Sequence, residues 1–491
     1  MTMPDTPAEY PEPPVGLRQR LPVKMLFFFG PGAIIASVTV GSGETVFASR
    51  GGAIFGYTLL WCFVASAIFK GIQLYSGARF MTLTGRHPLE SWAELPGPKG
   101  WFVWLLAALT IVWMPFWLGG GLPKMLGDFA NWAFNLKEGK TDAELHQMAR
   151  IWATLFIAVG VSITWLQTYH FLEKLQTVVV ALLLFCMIVA ALFTHPDIGA
   201  MIMGTLVPTA PKFDGWVVEK YPSSFANASP WVEMVIYLGA IGGGTQDYFG
   251  YLGLLRAKAW GMLGRMASPG EPAPREIAQT RENELKGRLW LRAPLADVTV
   301  SFGCVLVFTI CFVVLGAAML HPNQQVPAGV NLLVEQYQYL VRSNQTPAVQ
   351  MILGFIYKTG VFFAFLGTIW GAYELYTWTT RECLVAALPR LRKVSVRKFR
   401  LATLLWCGGG GLVILWGLDK SPVNIVKPAA LVGSSFTCGL WCFAMLWSDR
   451  VHVPKGLRMG PVLQFLLIIA GLLLCIVPAI GMYEYILELT V

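Results

Sequence analysis

Two glycine-rich interruptions of apolar segments carry the polar residues of this sequence that are best suited to bind a cation. The first, residues 41–43, is followed by Glu44, and the second, residues 242–244, is followed by Gln246 and Asp247 after one threonine. Carboxylate, amide, hydroxyl and carbonyl oxygens suit hard cations such as Mg²⁺ and Ca²⁺. We expect Glu44, Gln246 and Asp247 to be metal ligands. The full candidate binding set comprises the residues at and beside the interruptions: Gly41, Ser42, Glu44, Thr45, Ala240, Gly243, Thr245, Gln246 and Asp247.

The composition places these residues in a membrane. The chain has 491 residues, of which 55% are hydrophobic and 13% are charged, with a mean hydropathy of +0.57. Soluble domains carry roughly 25% charged residues, so a soluble fold is excluded. Long uncharged runs, such as residues 175–194 and 462–482, predict an all-α integral membrane protein.

The apolar runs predict about eleven membrane-spanning helices. We place them near residues 25–49, 53–78, 101–122, 151–169, 174–194, 231–255, 296–320, 357–380, 401–418, 424–447 and 460–483. Most of the 37 Lys and Arg residues fall in the loops on one side. The positive-inside rule then predicts a multi-pass protein of the cytoplasmic membrane, with its N-terminus in the cytoplasm and its C-terminus outside.

The spans define the expected domain organisation. We expect a cytoplasmic tail over residues 1–24, a single transmembrane transporter domain over 25–483 and an extracytoplasmic tail over 484–491. The domain divides into one repeat over about 25–194, a second over about 231–447 and an extra helix over about 460–483.

Both interruptions fall near the middle of the membrane, in spans 1 and 6, which are corresponding positions if two five-helix halves repeat. Irregular backbone at that depth must be satisfied by protein or line a cavity, and paired broken helices indicate a transporter binding site. A carboxylate there costs at least about 3 kcal/mol, so it should face an interior path. The alternative is that Lys70, Lys358 or Lys427 neutralises the carboxylates.

The sequence predicts no enzyme. We find no hydrolytic or redox motif, no phosphate-binding loop and no dinucleotide motif, so we expect no cofactor, no nucleotide and no nucleic-acid partner. Transport would run on ion gradients or on the membrane potential. The expected partners are an inorganic cation as substrate and the lipid bilayer, and we expect a monomer or weak homo-oligomer.

The stretch GPGAIIASVTVGSGETVFASRGGAIFGYTLLW (30–61) resembles the natural resistance-associated macrophage protein (Nramp) family of divalent-metal transporters. Weaker similarities follow in YLGAIGGGTQDYFGY (237–251) and LADVTVSF (295–302). The resemblance implies the LeuT-type fold, in which spans 1–5 and 6–10 form inverted repeats and spans 1 and 6 are broken.

This chain departs from the family at the residues that bind metal. The family's Asp-Pro-Gly-Asn motif in span 1 corresponds to residues 41–44, where the aspartate is lost and Glu44 replaces the asparagine. Its Met-Pro-His motif in span 6 corresponds to residues 243–245, which lack the thioether and the histidine. Residues 111–123 lack the family's acidic residues of the proton path. We therefore expect a divergent member that prefers a hard cation such as Mg²⁺ to Mn²⁺ or Fe²⁺, without the usual proton coupling.

Two other functions are compatible with the sequence. An ion-coupled transporter of a small organic cation or amino acid would use the roomy glycine-rich centre and the aromatic residues of span 3. A non-transporting, receptor-like membrane protein would use its loops, residues 257–294, 124–150 or 195–230, to contact partners.

Overall fold

The structure, a computed structural model, describes residues 7–19, 30, 32, 35–36, 38, 43–136, 138–166, 169–265, 276–326, 332–418 and 420–490. Within these residues the regular structure is helical, apart from an isolated bridge between Ala8 and Ile277. The prediction of an all-helical membrane architecture is confirmed.

The main helices are labelled here in chain order. They are α1 Ser49–Phe55, α2 Leu60–Thr84, α3 Trp101–Ala133, α4 Asp142–Leu166, α5 Tyr169–Leu192, α6 Pro230–Ala240, α7 Thr245–Leu255, α8 Arg281–Leu320, α9 Pro347–Ala387, α10 Val396–Gly417, α11 Pro422–His452 and α12 Pro461–Thr490. Shorter helices are Val15–Arg18, Pro88–Trp92, Ile198–Leu206, Gly215–Lys220, Pro222–Phe225 and Leu332–Glu335. In the described part of the chain, α3, α4 and α8–α12 are long and apolar enough to cross a membrane.

Several helices extend beyond the predicted spans. Helix α3 continues to Ala133 and α4 begins at Asp142, so most of the region 124–150 is helical rather than loop. A π-helical turn at Trp117–Gly121 lets α3 continue, and the Asn131 side chain donates to the Leu145 carbonyl of α4 at 2.9 Å. Tertiary packing rather than apolar sequence therefore holds this segment.

Helices α9 and α12 are also longer than the predicted spans. Helix α9 has 41 residues, which at about 1.5 Å per residue is roughly 60 Å, twice the hydrocarbon thickness of about 30 Å. It must therefore extend well outside the membrane or tilt strongly. Helix α12 runs through Thr490, past the predicted end at residue 483, so the expected C-terminal tail is largely helical.

Helices α1 and α6 lie in the interior of the bundle. All residues of α1 are buried, and α6 is buried from Val232 to Ala240. The charged residues of these helices, Arg50 of α1 and Glu233 of α6, are buried with them. The two helices are joined by an ion pair, because Arg50 lies 3.1 Å from Glu233, which also accepts a hydrogen bond from the Tyr237 hydroxyl at 2.8 Å.

The N-terminal segment, residues 7–19, packs against the end of α2 and the start of α8. The Tyr10 side chain is buried and its hydroxyl donates to the Leu83 carbonyl at 2.9 Å. Its backbone N–H donates to the Asn283 side chain at 2.7 Å, and the Trp290 indole donates to the Pro11 carbonyl at 2.8 Å. This segment therefore links the end of α2 to the start of α8.

Candidate functional site

The second glycine-rich interruption is a break between two helices. Helix α6 ends at Ala240 and α7 begins at Thr245. Gly242 and Gly243 adopt φ angles of +74° and +80°, a region that glycine enters without steric cost. The Asp247 carboxylate accepts the Gly244 N–H at 2.7 Å and so caps the start of α7.

The first interruption meets the second. Gly41 and Ser42 lie outside the described residues, but Gly43 begins a π-helical turn, Gly43–Ala48, that leads into α1. A Cβ atom on Gly43 would lie 2.3 Å from the Ala240 carbonyl oxygen, so the two backbones are in close contact. The fully buried Glu44 accepts the Gly242 N–H at 3.1 Å, while its second oxygen has no hydrogen-bond partner.

A lysine of α2 donates hydrogen bonds to the carbonyl oxygens at the break. The Lys70 ammonium, fully buried, lies 3.0 Å from the Gly239 oxygen, 2.8 Å from that of Ile241 and 2.6 Å from that of Gly243. The Gly242 carbonyl is satisfied separately by the Tyr248 hydroxyl at 2.7 Å. These carbonyls, which the sequence suggested as cation ligands, are therefore already occupied by groups of the protein.

A small cavity of about 30 Å³ lies at the centre of the bundle, beside the break. The residues that line it belong to α3, α6, α7, α9 and α11, to the break and to the segment before Gly43. They are Val38, Trp117, Leu122, Gly239, Ala240, Gly243, Gln246, Asp247, Thr368, Ala372, Tyr376 and Ser434. Four of the predicted site residues, Ala240, Gly243, Gln246 and Asp247, are thus brought together. The Gln246 amide nitrogen donates to Ser434 at 2.9 Å, and its oxygen has no partner.

Other predicted site residues lie away from this cavity. The Thr245 hydroxyl accepts from Thr437 at 2.8 Å and lies 3.3 Å from the Cys438 sulfur, so it forms hydrogen bonds between α7 and α11. The Thr45 carbonyl accepts from the Gln336 side chain at 2.7 Å. Glu44 contacts the break without lining the cavity.

Two other lysines that were candidates to neutralise the carboxylates, Lys427 and Lys358, have partners elsewhere. Lys427 lies 3.7 Å from Glu488, and the Lys358 ammonium lies 3.2 Å from the Ala133 carbonyl oxygen, above the Trp132 ring. Among the described residues, no group of three or more His, Cys, Asp and Glu side chains could hold a metal ion. A bound cation would therefore depend on amide and carbonyl oxygens beside a carboxylate.

Sequence reasoning did not identify the contact of Lys70 with the break, nor Trp117, Tyr376 and Ser434 as lining residues. A lysine inside an apolar span was the available signal for Lys70. The aromatic and serine residues gave none, since they fit equally well in helix packing.

An aspartate of α8 holds the start of the first broken segment. Asp297 accepts the Gly30 N–H at 2.8 Å and the Gly32 N–H at 2.9 Å, and it accepts the Tyr251 hydroxyl at 2.7 Å. One carboxylate of α8 therefore joins the backbone at Gly30 and Gly32 to α7.

Comparison with known proteins identifies similar transporters. Residues 32–243 match the family described as natural resistance-associated macrophage protein-like. The divalent metal cation transporter MntH of Listeria welshimeri is 25% identical over 185 residues, 37% of this chain and 38% of that protein. MntH of Yersinia pestis is 29% identical over 198 residues, 38% of this chain and 42% of that protein. The chain thus matches about two fifths of the length of these relatives.

The fold is also similar to solved structures. The manganese transporter of Eremococcus coleocola, in complex with an aromatic bis-isothiourea compound, superposes with a TM-score of 0.64 at 13% identity, covering 98% of this chain and 94% of that one. The predicted LeuT-type fold is confirmed. The family match ends at Gly243, inside the second break, so it includes the first broken segment but not Gln246 and Asp247.

Proposed function

We propose that this chain, a divergent member of the natural resistance-associated macrophage protein family, is a secondary transporter that moves a divalent cation across the cytoplasmic membrane by alternating access. A hard cation such as Mg²⁺ is preferred to Mn²⁺ or Fe²⁺, and protons do not accompany it. The observation that carries the proposal is the central cavity beside the α6 break, which Asp247 and Gln246 both line.

The chemistry of the lining supports a hard cation. Asp247 supplies a carboxyl group, and Gln246 supplies an amide oxygen that has no hydrogen-bond partner among the described residues. Oxygen ligands suit Mg²⁺ and Ca²⁺, whereas softer metals gain from sulfur or imidazole ligands. Glu44 adds a second buried carboxylate on the far side of the break, where it increases the attraction for a dication without touching the cavity.

The size of the cavity favours an ion over an organic substrate. A cavity of about 30 Å³ has room for one or two water molecules. An amino acid or organic cation would need the lining helices to separate, whereas an ion that sheds part of its hydration needs a much smaller change. The cation reaches the cavity from either side of the membrane when α1 and α6 shift relative to the surrounding helices.

The contribution of α3 supports transport without protons. This helix lines the cavity with Trp117 and Leu122, and neither side chain titrates. A proton path beside the cavity would require acidic or histidine side chains, which residues 111–123 of this helix lack, since its one acidic residue, Asp128, lies beyond them.

Flux into proteoliposomes under an inside-negative potential tests the proposal, with Mg²⁺, Ca²⁺ and Mn²⁺ supplied in turn and a pH dye trapped inside. We expect saturable influx, faster for Mg²⁺ than for Mn²⁺, with no change in the dye. Asp247→Asn retains an acceptor for the Gly244 N–H but removes the charge, and it should reduce influx at least about tenfold, the equivalent of 1.4 kcal/mol.

Glu374→Gln is the matched control, because this carboxylate pairs with Arg400 at 2.9 Å and does not line the cavity. It should retain influx close to that of the wild type. Well-folded protein without divalent flux would contradict the proposal and favour an organic substrate or a receptor role. Acidification of the lumen that follows metal influx would contradict the absence of proton coupling.

A further inference from the structure

The most unusual group beside the break is the ammonium of Lys70. Its three N–H donors match three carbonyl oxygens of one short segment, at 2.6, 2.8 and 3.0 Å. The group is fully buried, and the three carbonyl oxygens are its direct ligands.

Three converging carbonyl oxygens have the character of a cation site. Unwound carbonyls at half-helix ends coordinate small monovalent cations in transporters with broken helices, and the C-terminal end of a helix adds partial negative charge. Here Gly239 belongs to the last turn of α6, and Ile241 and Gly243 belong to the break itself.

We propose that these three carbonyl oxygens form a monovalent-cation site that the chain fills with its own tethered ammonium, Lys70. The break then needs no dissociable alkali or ammonium ion to be stable. Removal of the side chain leaves a site for a free cation of the same class, a small primary ammonium ion. This site lies beside the proposed divalent path, with which it shares Gly239 and Gly243, and the inference stands even if the chain moves no divalent cation.

The competing explanation is a purely structural cap, in which Lys70 satisfies the last carbonyls of α6 as a lysine does at many helix ends. A cap and a filled cation site both predict that Lys70→Ala destabilises the fold. They differ in what restores it, because a cation site accepts a free ammonium ion in place of the side chain.

Thermal unfolding of the detergent-solubilised protein tests the difference. Lys70→Ala lacks the fragment that corresponds to propylammonium. We expect its melting temperature to fall in buffer with N-methylglucamine as the cation, and to rise with the logarithm of propylammonium concentration until it approaches that of the wild type. Wild-type protein should not respond. 1-Propanol, which has the same shape without the charge, should restore little.

Lys358→Ala is the matched control, since Lys358 is also a lysine of a membrane helix but lies near a single carbonyl, that of Ala133. It should gain no stability from propylammonium. Equal rescue of Lys358→Ala, equal rescue by 1-propanol, or no rescue of Lys70→Ala would each overturn the proposal.

If Lys70→Ala cannot be isolated in amine-free buffer, membranes are solubilised with propylammonium or with 1-propanol. Recovery of monodisperse protein with the amine alone supports the proposal. Recovery with the alcohol as well, or with neither, overturns it. Because these measurements report stability rather than flux, their outcome is independent of divalent-cation transport.

Discussion

The Glu44 carboxylate accepts a hydrogen bond from the Gly242 N–H at 3.1 Å, which joins two helix interruptions 198 residues apart in the chain. The bond satisfies a backbone donor that the break removes from α6. It also places a fully buried carboxyl group against the backbone of the second break, and the second oxygen of this group has no hydrogen-bond partner in the described part of the chain.

Glu44→Gln should abolish most cation uptake. The amide oxygen can still accept the Gly242 N–H, so the junction is retained, whereas the negative charge beside the cation path is lost. We expect the rate of Mg²⁺ influx to fall at least about tenfold, a loss of 1.4 kcal/mol or more. Influx into proteoliposomes measures it, with Glu374→Gln as control. Uptake at the wild-type rate would show that Glu44 has no part in transport.

Gln246→Met should change which metal is preferred. The substitution replaces an oxygen of the cavity lining by a thioether, a ligand that favours softer metals. We expect the ratio of Mn²⁺ to Mg²⁺ influx to rise about tenfold, which is 1.4 kcal/mol of altered preference. Gln73→Met, in α2 and outside the cavity, should leave the ratio unchanged. An unchanged ratio in both variants would mean that Gln246 does not contact the ion.

Gly43→Ala should destabilise the junction between the two breaks. Its Cβ would lie 2.3 Å from the Ala240 carbonyl oxygen, so one backbone must move. Overpacking of this kind costs about 1–3 kcal/mol, and we expect a lower melting temperature together with slower influx. In Gly303→Ala, also in a helix, the new Cβ meets no atom within 4 Å, and stability should be unchanged or higher. Equal melting temperatures would refute the close contact.

The stability of the protein should fall with acidification through a histidine outside the membrane helices. Burial lowers the pKa of His87, in the connection after α2, to about 4, with Glu382 opposing and Arg256 adding to the effect. The unfolded chain takes up the proton near pH 6.5, so this contribution is fully present above pH 6.5 and is lost as the pH falls toward 4. The loss amounts to about 3 kcal/mol at most.

His87→Asn is the variant that checks this pH dependence. The His87 side chain accepts the Leu89 N–H at 3.2 Å, and asparagine is a good replacement for such a cap. Chemical unfolding between pH 7 and 4.5 should show a weaker loss of stability in the variant than in the wild type. Parallel curves would assign the acid sensitivity to other groups.

The sequence was informative about the breaks and poor at describing what surrounds them. Glycine runs followed by Glu44 and Asp247 predicted two interruptions, because polar residues and glycine are costly in the middle of a membrane helix. The second is the break between α6 and α7, whereas Gly41 and Ser42 of the first lie outside the described residues. The partner of the break carbonyls was not predictable. Lys70 reaches them from another helix, and nothing in a single sequence states which helices are neighbours. The extension of α3 and α4 was missed for the same reason, since packing rather than apolar length holds residues 122–133.

The fold as a whole was recognised through the stretch at residues 30–61, whereas the site residues were not transferable. At positions 41–44 and 243–245 the family's metal ligands are replaced by residues of other types. The resemblance therefore predicts the architecture, whereas the chemistry of the site depends on the residues present. Thr245 illustrates the limit, because its position in the motif pointed to the cavity while its hydroxyl binds α11.

The N-terminal segment has a consequence for the order in which the protein forms during synthesis. Tyr10 and Pro11 are held by Asn283 and Trp290, which leave the ribosome after some 270 further residues. At about 5–20 residues per second, that delay is roughly 15 to 55 s. Tyr10 and Pro11 therefore cannot reach their final contacts until the start of α8 has been made. Their burial marks the moment at which the first six predicted spans and the start of α8 have come together.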